Sequence, residues 1–254
     1  MKIAIIGGSG VYDPRILENT REERIETPYG VAALKVGTYQ GEEVGFMPRH
    51  GEKHSVPPHK VNYRANIWAL KELGVERVMA TAAVGSVNPA MKPGDFVIVD
   101  DFLDFTKTRV YTFFDGDEMG VVHTDFTEPY CQEVREVLLR AARELRIPVH
   151  DGGVYVCMEG PRYETPAEIR MVQRLGGDLV GMTNAPEVVL AKELGLCYGL
   201  VAMVTNLAAG ISPVPLAHQE VLAVMDANAE KIKSLAMRTI EVMPRERRCC
   251  CRRE

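Results

Sequence analysis

No apolar run in the 254 residues approaches the roughly 20 needed to span a bilayer, which excludes a transmembrane helix. The apolar part of "MKIAIIGGSG" is too short for a secretory signal, so a cytoplasmic protein is expected. Neither charge sign dominates: the net charge is −5. That excludes a general binder of nucleic acid or anionic membranes. There is no Cys-x-x-Cys pair, which argues against a zinc ribbon or a thioredoxin-like site. No Lys-Ser/Thr pair follows the glycines of "IIGGSG", so that turn is no P-loop, and Asp13 stands where a dinucleotide fingerprint needs glycine. No Ser-His-Asp or Cys-His constellation is visible. No linker, repeat or low-complexity segment interrupts the chain before its end.

Six cysteines are present. Cys131, Cys157 and Cys197 sit among apolar neighbours and read as reduced core residues. Cys249, Cys250 and Cys251 form a run in the basic tail "RERRCCCRRE". That tail has no apolar periodicity and is expected to fray. Its cysteines suit a disulfide within the tail, a disulfide between subunits, or a disordered reactive end. One domain over 1–243 and a flexible basic, Cys-containing tail over 244–254 are the expected organisation. No metal site is expected.

The remaining 46% of hydrophobic residues are enough for a sizeable core. Short apolar runs such as "KIAIIGG", "VERVMATAAVG" and "LCYGLVAMVTN" read as buried strands. They alternate with helical patterns: "VNYRANIWALKELG", "PAEIRMVQRLGG" and the long stretch from His218. "VAALKVGTYQGEEVGFMPRHG" reads as two strands around Gln40-Gly41. "DFVIVDDFLDF" reads as one strand. The alternation predicts an α/β domain with a mixed, largely parallel twisted sheet flanked by helices. Ligands then belong at the carboxyl ends of strands, where the unusual residues cluster.

The glycines before and after Ser9 let backbone N–H groups approach an anion, or simply make a tight turn. Arg49 and His50 end a strand, beside His54 and His59. An arginine fork matches a phosphate or carboxylate, and histidines add donors. Metal ligation by these histidines is disfavoured, because no thiolate or carboxylate is placed with them. Small residues in "ATAAVGS" allow close approach of a flat ligand or an oxyanion, or close packing of a helix. Tyr163 and Glu164 lie in a Gly-Pro loop, where a ring can stack on a base and a carboxylate can accept from ring N–H groups. Met182 and Thr183 end another strand before a helix begun near Pro186. Asn206 ends "LVAMVTNLAAG", either as a turn residue or as an amide that reads a ligand.

Together, "IIGGSG", "RHGEKHSVPPHKVNYRANIWALKELG", "AAVGS", "PGDFVIVDDFLDFT", "EGPRYET" and "GMTNAPEVVLAKELGLCY" resemble the trimeric purine nucleoside phosphorylase family, in its methylthioadenosine phosphorylase branch. The resemblance runs to about Met243. It implies reversible phosphorolysis of a purine nucleoside, a homotrimer or dimer of trimers, and no cofactor beyond inorganic phosphate as co-substrate. It places phosphate on Ser9, Arg49, His50, Ala82, Ala83 and Thr183. Ribose would lie against Met182, with His123 lent to a neighbouring subunit's ribose pocket. The base would meet Gly85, Tyr163, Glu164, Asn206, Leu207 and Ala208. Asn206, Glu164 and His50 would carry the catalysis.

The methylthioadenosine branch has acidic residues where this chain has Asn206 and Ala208. An asparagine can donate to a 6-oxo oxygen and accept from a protonated N7. Glu164 accepts from N1–H, which adenine lacks. A buried acceptor without a partner costs about 1–3 kcal/mol, enough for a clear preference. His218 stands where the methylthio branch is apolar, and its imidazole suits a 5′-hydroxyl. The expected substrate is therefore a 6-oxopurine nucleoside such as inosine or guanosine. The alternatives are 5′-methylthioinosine, 5′-methylthioadenosine and a non-catalytic nucleoside-binding protein.

Overall fold

The fold was read from a computed structural model. It describes residues 1–7, 17–52, 55–212 and 218–251, with His218 described by its backbone alone. Ser9 and His54 lie outside the described residues.

Three apolar strands organise the molecule: β1 (Ile3–Gly7), β5 (Arg77–Ser86) and β11 (Cys197–Leu207). β5 runs parallel to both of the others. Strands buried on both faces read as continuous apolar runs, which is why these three were legible. Alternate side chains feed opposite layers. Ala4, Ile6, Val78, Ala80, Leu200 and Val204 join one apolar cluster. Ile5, Met79, Val201 and Met203 join another.

Helices cover both layers. α1 (Tyr63–Glu72) and α4 (Asn184–Glu193) pack on the first, through residues such as Ile67, Leu70 and Val188. α2 (Gln132–Leu145) and α5 (His218–Val242) pack on the second, through Val134, Leu138, Ile232 and Leu235. α3 (Pro166–Arg174) begins at a capping box: Thr165 and Glu168 satisfy each other's backbone N–H groups, and Pro166 occupies the first turn.

Among the described residues the sheet has eleven strands. β2 (Glu18–Thr27) pairs with β3 (Gly30–Tyr39), β3 with β4 (Glu42–Pro48), and β4 with β1. β9 (Val154–Met158) joins β10 (Leu179–Gly181) to β7 (Asp101–Phe105). β6 (Phe96–Ile98) pairs with β11 and with β8 (Val149–Asp151). The stretch expected to be one strand is thus two, β6 and β7, in different parts of the sheet. β2 escaped the sequence reading because it is mostly charged, as suits an exposed edge strand.

β11 pairs with β5 along its whole length. The other edge of β5 is therefore shared. β1 covers residues 77–80, and β10 covers Gly85 and Ser86 in antiparallel fashion. Residues 81–84 lie between them with no strand on that edge among the described residues. Across β5, β11 carries a bulge: Val204 pairs with Val84, but Asn206 pairs with Gly85, leaving Thr205 as the extra residue. Bulges re-aim the side chains that follow.

The described part of the tail makes specific contacts. Arg247 donates to the Gly195 carbonyl at 2.9 Å, and the Arg248 backbone N–H donates to Glu133 at 2.7 Å. Cys249 and Cys251 pack against the second apolar cluster. These anchors are individual contacts without helical or strand periodicity, so no pattern in the sequence signals them. Cys157 is separate and fully buried, but Cys131 and Cys197 meet the tail.

Candidate active site

A cleft of about 560 Å³ opens beside the uncovered edge of β5. That is an ordinary size for a small-molecule site. The strand supplies Ala82, Ala83 and Gly85, and the end of β4 supplies Arg49 and His50. The end of β10 supplies Met182 and Thr183, the loop after β9 supplies Tyr163 and Glu164, and β11 supplies Asn206. Ten of the residues singled out in the sequence thus share one cavity.

Arg49 is buried, and its guanidinium grips Glu187 of α4: Nε donates to Oε2 at 2.7 Å and Nη2 to Oε1 at 2.6 Å. Nη1 donates to the Thr81 carbonyl at 2.9 Å, on β5 where its edge is uncovered. Tyr198 donates its hydroxyl to Glu187 at 2.7 Å. Burial alone would disfavour the arginine's charge, but the adjacent Glu187 carboxylate more than offsets this and holds its pKa above the ordinary value. The pair satisfies the demand that a buried charge be matched. Three of the five guanidinium N–H groups are used among the described residues.

His50 bonds through Nδ1 to the Val56 carbonyl at 2.8 Å. A carbonyl only accepts, so Nδ1 carries the proton. Nε2 then offers a lone pair when the ring is neutral, and a donor when it is charged. Thr183 is the N-cap of α4, and its hydroxyl makes no capping bond. It stands at a helix N-terminus, where backbone N–H groups favour anions.

The opposite part of the cleft is set by Asn206 and Glu164. The Asn206 amino group donates to the Leu207 carbonyl at 3.0 Å, which fixes which end of the amide faces which way. Its Oδ1 lies 2.9 Å from the Thr205 hydroxyl, which also reaches the Val84 carbonyl at 3.1 Å. That hydroxyl has one proton and serves one of the two at a time. Each end of the Asn206 amide keeps one unused bonding capacity. Glu164 is 8% exposed and has no ion-pair partner among the described residues. Burial raises its carboxyl above the ordinary value. Gly85 leaves room beside Asn206: a Cβ there would stand 3.1 Å from Val180 Cγ2 and 3.2 Å from the Asn206 amide nitrogen.

Several expected residues fall elsewhere. Leu207 contributes its carbonyl to Asn206 but does not line the cleft. Ala208 is buried in an apolar cluster with Val87, Val156 and Val180. The bulge leaves Thr205 and Asn206 lining the cavity, while Ala208 beyond them is buried. His123 is exposed and lies outside this chain's cleft. His218 opens α5, and Val221 and Met225 of the same helix line the cavity. The side chain of His218 is outside the described residues, as is Ser9.

Sequence reasoning missed three residues. Glu187 looked like an ordinary first-turn helix residue; its signal was a carboxylate within the apolar "NAPEVVLA". Thr205 looked like part of a strand. Arg109 is 9% exposed and braces two loops of the site. It donates to the carbonyls of Met182 and Glu159, the latter at 2.6 Å, and to the Tyr63 hydroxyl at 3.2 Å. Nothing in its local sequence distinguishes it.

Residues 2–241 match the family model for the phosphorylase superfamily. A probable 6-oxopurine nucleoside phosphorylase from Moorella thermoacetica is 72% identical, over 99% of this chain and 96% of its own. A 6-oxopurine nucleoside phosphorylase from Pyrococcus furiosus is 57% identical, over 99% and 96%. Methylthioadenosine phosphorylase from Schistosoma mansoni, solved in complex with adenine, superposes with a TM-score of 0.92 at 33% identity, covering 97% of this chain and 93% of that one. Matched almost end to end by the family model and by these relatives, this chain belongs to the phosphorylase superfamily.

Proposed function

We propose that the protein is a purine nucleoside phosphorylase that acts on 6-oxopurine nucleosides, inosine and guanosine, in purine salvage. The observation that carries this is the pairing of an oriented amide, Asn206, with a buried carboxylate, Glu164, that has no ion-pair partner among the described residues, in one cleft. The amide's free N–H suits a 6-oxo oxygen, and its free lone pair suits N7–H. Glu164 suits N1–H and, in guanine, the 2-amino group. Ala208, apolar and buried, offers nothing to a 6-amino group.

Phosphate enters against Arg49, His50, Thr183 and the backbone of Ala82 and Ala83. The positive charge developing at C1′ is met by the phosphate beside it. The C1′–N9 bond breaks with its electron pair passing into the purine, and a phosphate oxygen bonds C1′. The proton of the hydrogen phosphate ends on the released base. Asn206 stabilises the departing purine at N7 and O6. Positioning does most of the work, and no covalent nucleophile is required. No organic cofactor enters this scheme.

Met182 supports the ribose, and His218 binds the 5′-hydroxyl. His123 completes the ribose pocket of a neighbouring copy in a homotrimer or a dimer of trimers. The exposed Val110, Tyr111 and Val121 of the segment leading to His123 support such a contact. No described helix is long and apolar enough to cross a membrane. In this reading the enzyme works in the cytoplasm.

A second reading draws on Val221 and Met225, which give the cavity an apolar patch beside the start of α5. That patch suits a 5′-methylthio group, as in 5′-methylthioinosine. One panel decides: inosine, guanosine, adenosine, methylthioadenosine and methylthioinosine, each with and without phosphate. Phosphate-dependent base release favouring inosine and guanosine is expected. Equal efficiency on adenosine overturns the base assignment, and preference for methylthioinosine selects the second reading. Binding without base release would indicate a sensor.

A further inference from the structure

Four cysteines from three separate parts of the chain converge at one point. Cys131 is the N-cap of α2, Cys197 is the first residue of β11, and Cys249 and Cys251 come from the tail. Their four sulfurs all lie within 4.8 Å of one another. Among the described residues this is the one group of three or more potential metal ligands gathered so closely.

All four are free thiols, and the Sγ atoms of Cys197 and Cys249 are 3.2 Å apart. A disulfide needs about 2.05 Å. A tetrahedral zinc ion with Zn–S bonds of about 2.3 Å sets its four sulfurs about 3.8 Å from each other. Two disulfides require only two close pairs. Here all the pairs are close, as around a common centre. The tail shares this pattern: Cys249 and Cys251 turn inward, whereas Cys250 between them is exposed.

The donor set is all sulfur, with no carboxylate or imidazole in the group. Thiolates select zinc over the hard cations calcium and magnesium. A tetrathiolate around a divalent ion is an anion, and two features face it with positive charge. Cys131 stands at the N-terminus of a 14-residue helix. The Arg247 guanidinium lies against the cluster, and its Nε is buried without a hydrogen-bond partner. A cleft lined by Cys131 and by Cys249, Cys250 and Cys251 provides an entry path.

We propose that Cys131, Cys197, Cys249 and Cys251 form a tetrathiolate site for one zinc ion that clasps the C-terminal tail to α2 and the start of β11. With four protein ligands the site is closed, hence structural. It lies at the opposite end of β11 from Asn206, about 30 Å away at the rise of a strand, so it takes no part in the chemistry. The absence of a Cys-x-x-Cys pair did not exclude it, because distant segments supply two of the four ligands.

The test uses the full chain, reduced, loaded with zinc and freed of unbound metal. Elemental analysis is expected to find about one zinc per chain. Cobalt in its place is expected to give the strong visible bands of tetrahedral thiolate coordination, a readout that needs no variant. Cys249→Ser with Cys251→Ser is expected to lose the metal, while Cys250→Ser keeps it. A strong chelator is expected to lower the Tm of the unsubstituted protein and leave that double variant unmoved. The proposal is overturned if the reduced chain retains no more zinc than the double variant. It is equally overturned if mass spectrometry of the isolated protein finds these four sulfurs joined in two metal-free disulfides.

Discussion

The amide of Asn206 has two ends, and its neighbours choose between them. The Leu207 carbonyl can only accept, so it must face the amino end. Asn206→Asp puts an acceptor there instead, against that carbonyl and against a 6-oxo oxygen. The contact with the carbonyl lowers stability, while the one with the 6-oxo oxygen, at about 1–3 kcal/mol, implies a fall in kcat/KM for inosine of about 5- to 150-fold, and the ratio of adenosine to inosine efficiency rises. Steady-state kinetics on both substrates checks this. Glu164 makes a pH prediction. Burial raises its pKa, so the ionised acceptor is lost as pH falls through that raised value. The acid limb of kcat/KM for inosine should therefore lie above the ordinary carboxylate range. In Glu164→Gln that limb should vanish, with efficiency at neutral pH lower by about 5- to 150-fold. The sign for stability is the reverse of the usual carboxylate case: a raised pKa stabilises the fold at low pH, and that contribution is lost as pH rises through it.

At the scale of elements, the site depends on how strands and helices end. Thr165 caps α3 directly after Glu164, so the helix start fixes the carboxylate's backbone. Thr165→Ala should cost about 1 kcal/mol in denaturant unfolding and raise KM more than it lowers kcat. Glu168 completes that cap and takes two bonds from Arg162, at 2.8 and 2.7 Å. The Arg162 bonds, with the Thr165 N–H, depress its pKa to about 2. Its contribution to stability is thus present above the ordinary value of 4.5 and lost as pH falls from there toward 2. Glu168→Gln should flatten that part of the stability profile, measured by thermal melts across acid pH. The elements themselves were largely legible: β5 and β11 as apolar runs, α3 from its proline and cap residues. β2 was not, because an edge strand needs no apolar pattern. Asn206 was legible as a strand end, but the bulge that aims it is a relation between two strands. Glu187 and Arg109 were hidden for a related reason: their partners lie 138 and 73 residues away, at Arg49 and Met182.

Across the whole molecule, the buried cluster of Arg49, Glu187, Thr81 and Tyr198 joins β4, α4, β5 and β11 at the floor of the cleft. Glu187→Ala would leave a buried guanidinium without its counter-charge. A cost of about 3–5 kcal/mol in unfolding free energy is expected, together with weaker phosphate binding, since Arg49 would lose its fixed orientation. Equilibrium unfolding and phosphate KM measure the two effects separately. Long-range pairings of this kind, like the gathering of the cysteines, are properties of the folded chain and leave no local trace in the sequence. Within the sheet one strand edge is uncovered among the described residues, at 81–84 of β5, between the departing β1 and the arriving β10. An unpaired strand edge ordinarily invites another strand. In the proposed reading, phosphate and base take the place a strand would fill, and the substrates finish this stretch of the sheet. Amide hydrogen exchange along 81–84 should then slow when phosphate and hypoxanthine are bound together, while the β11-paired edge exchanges as before.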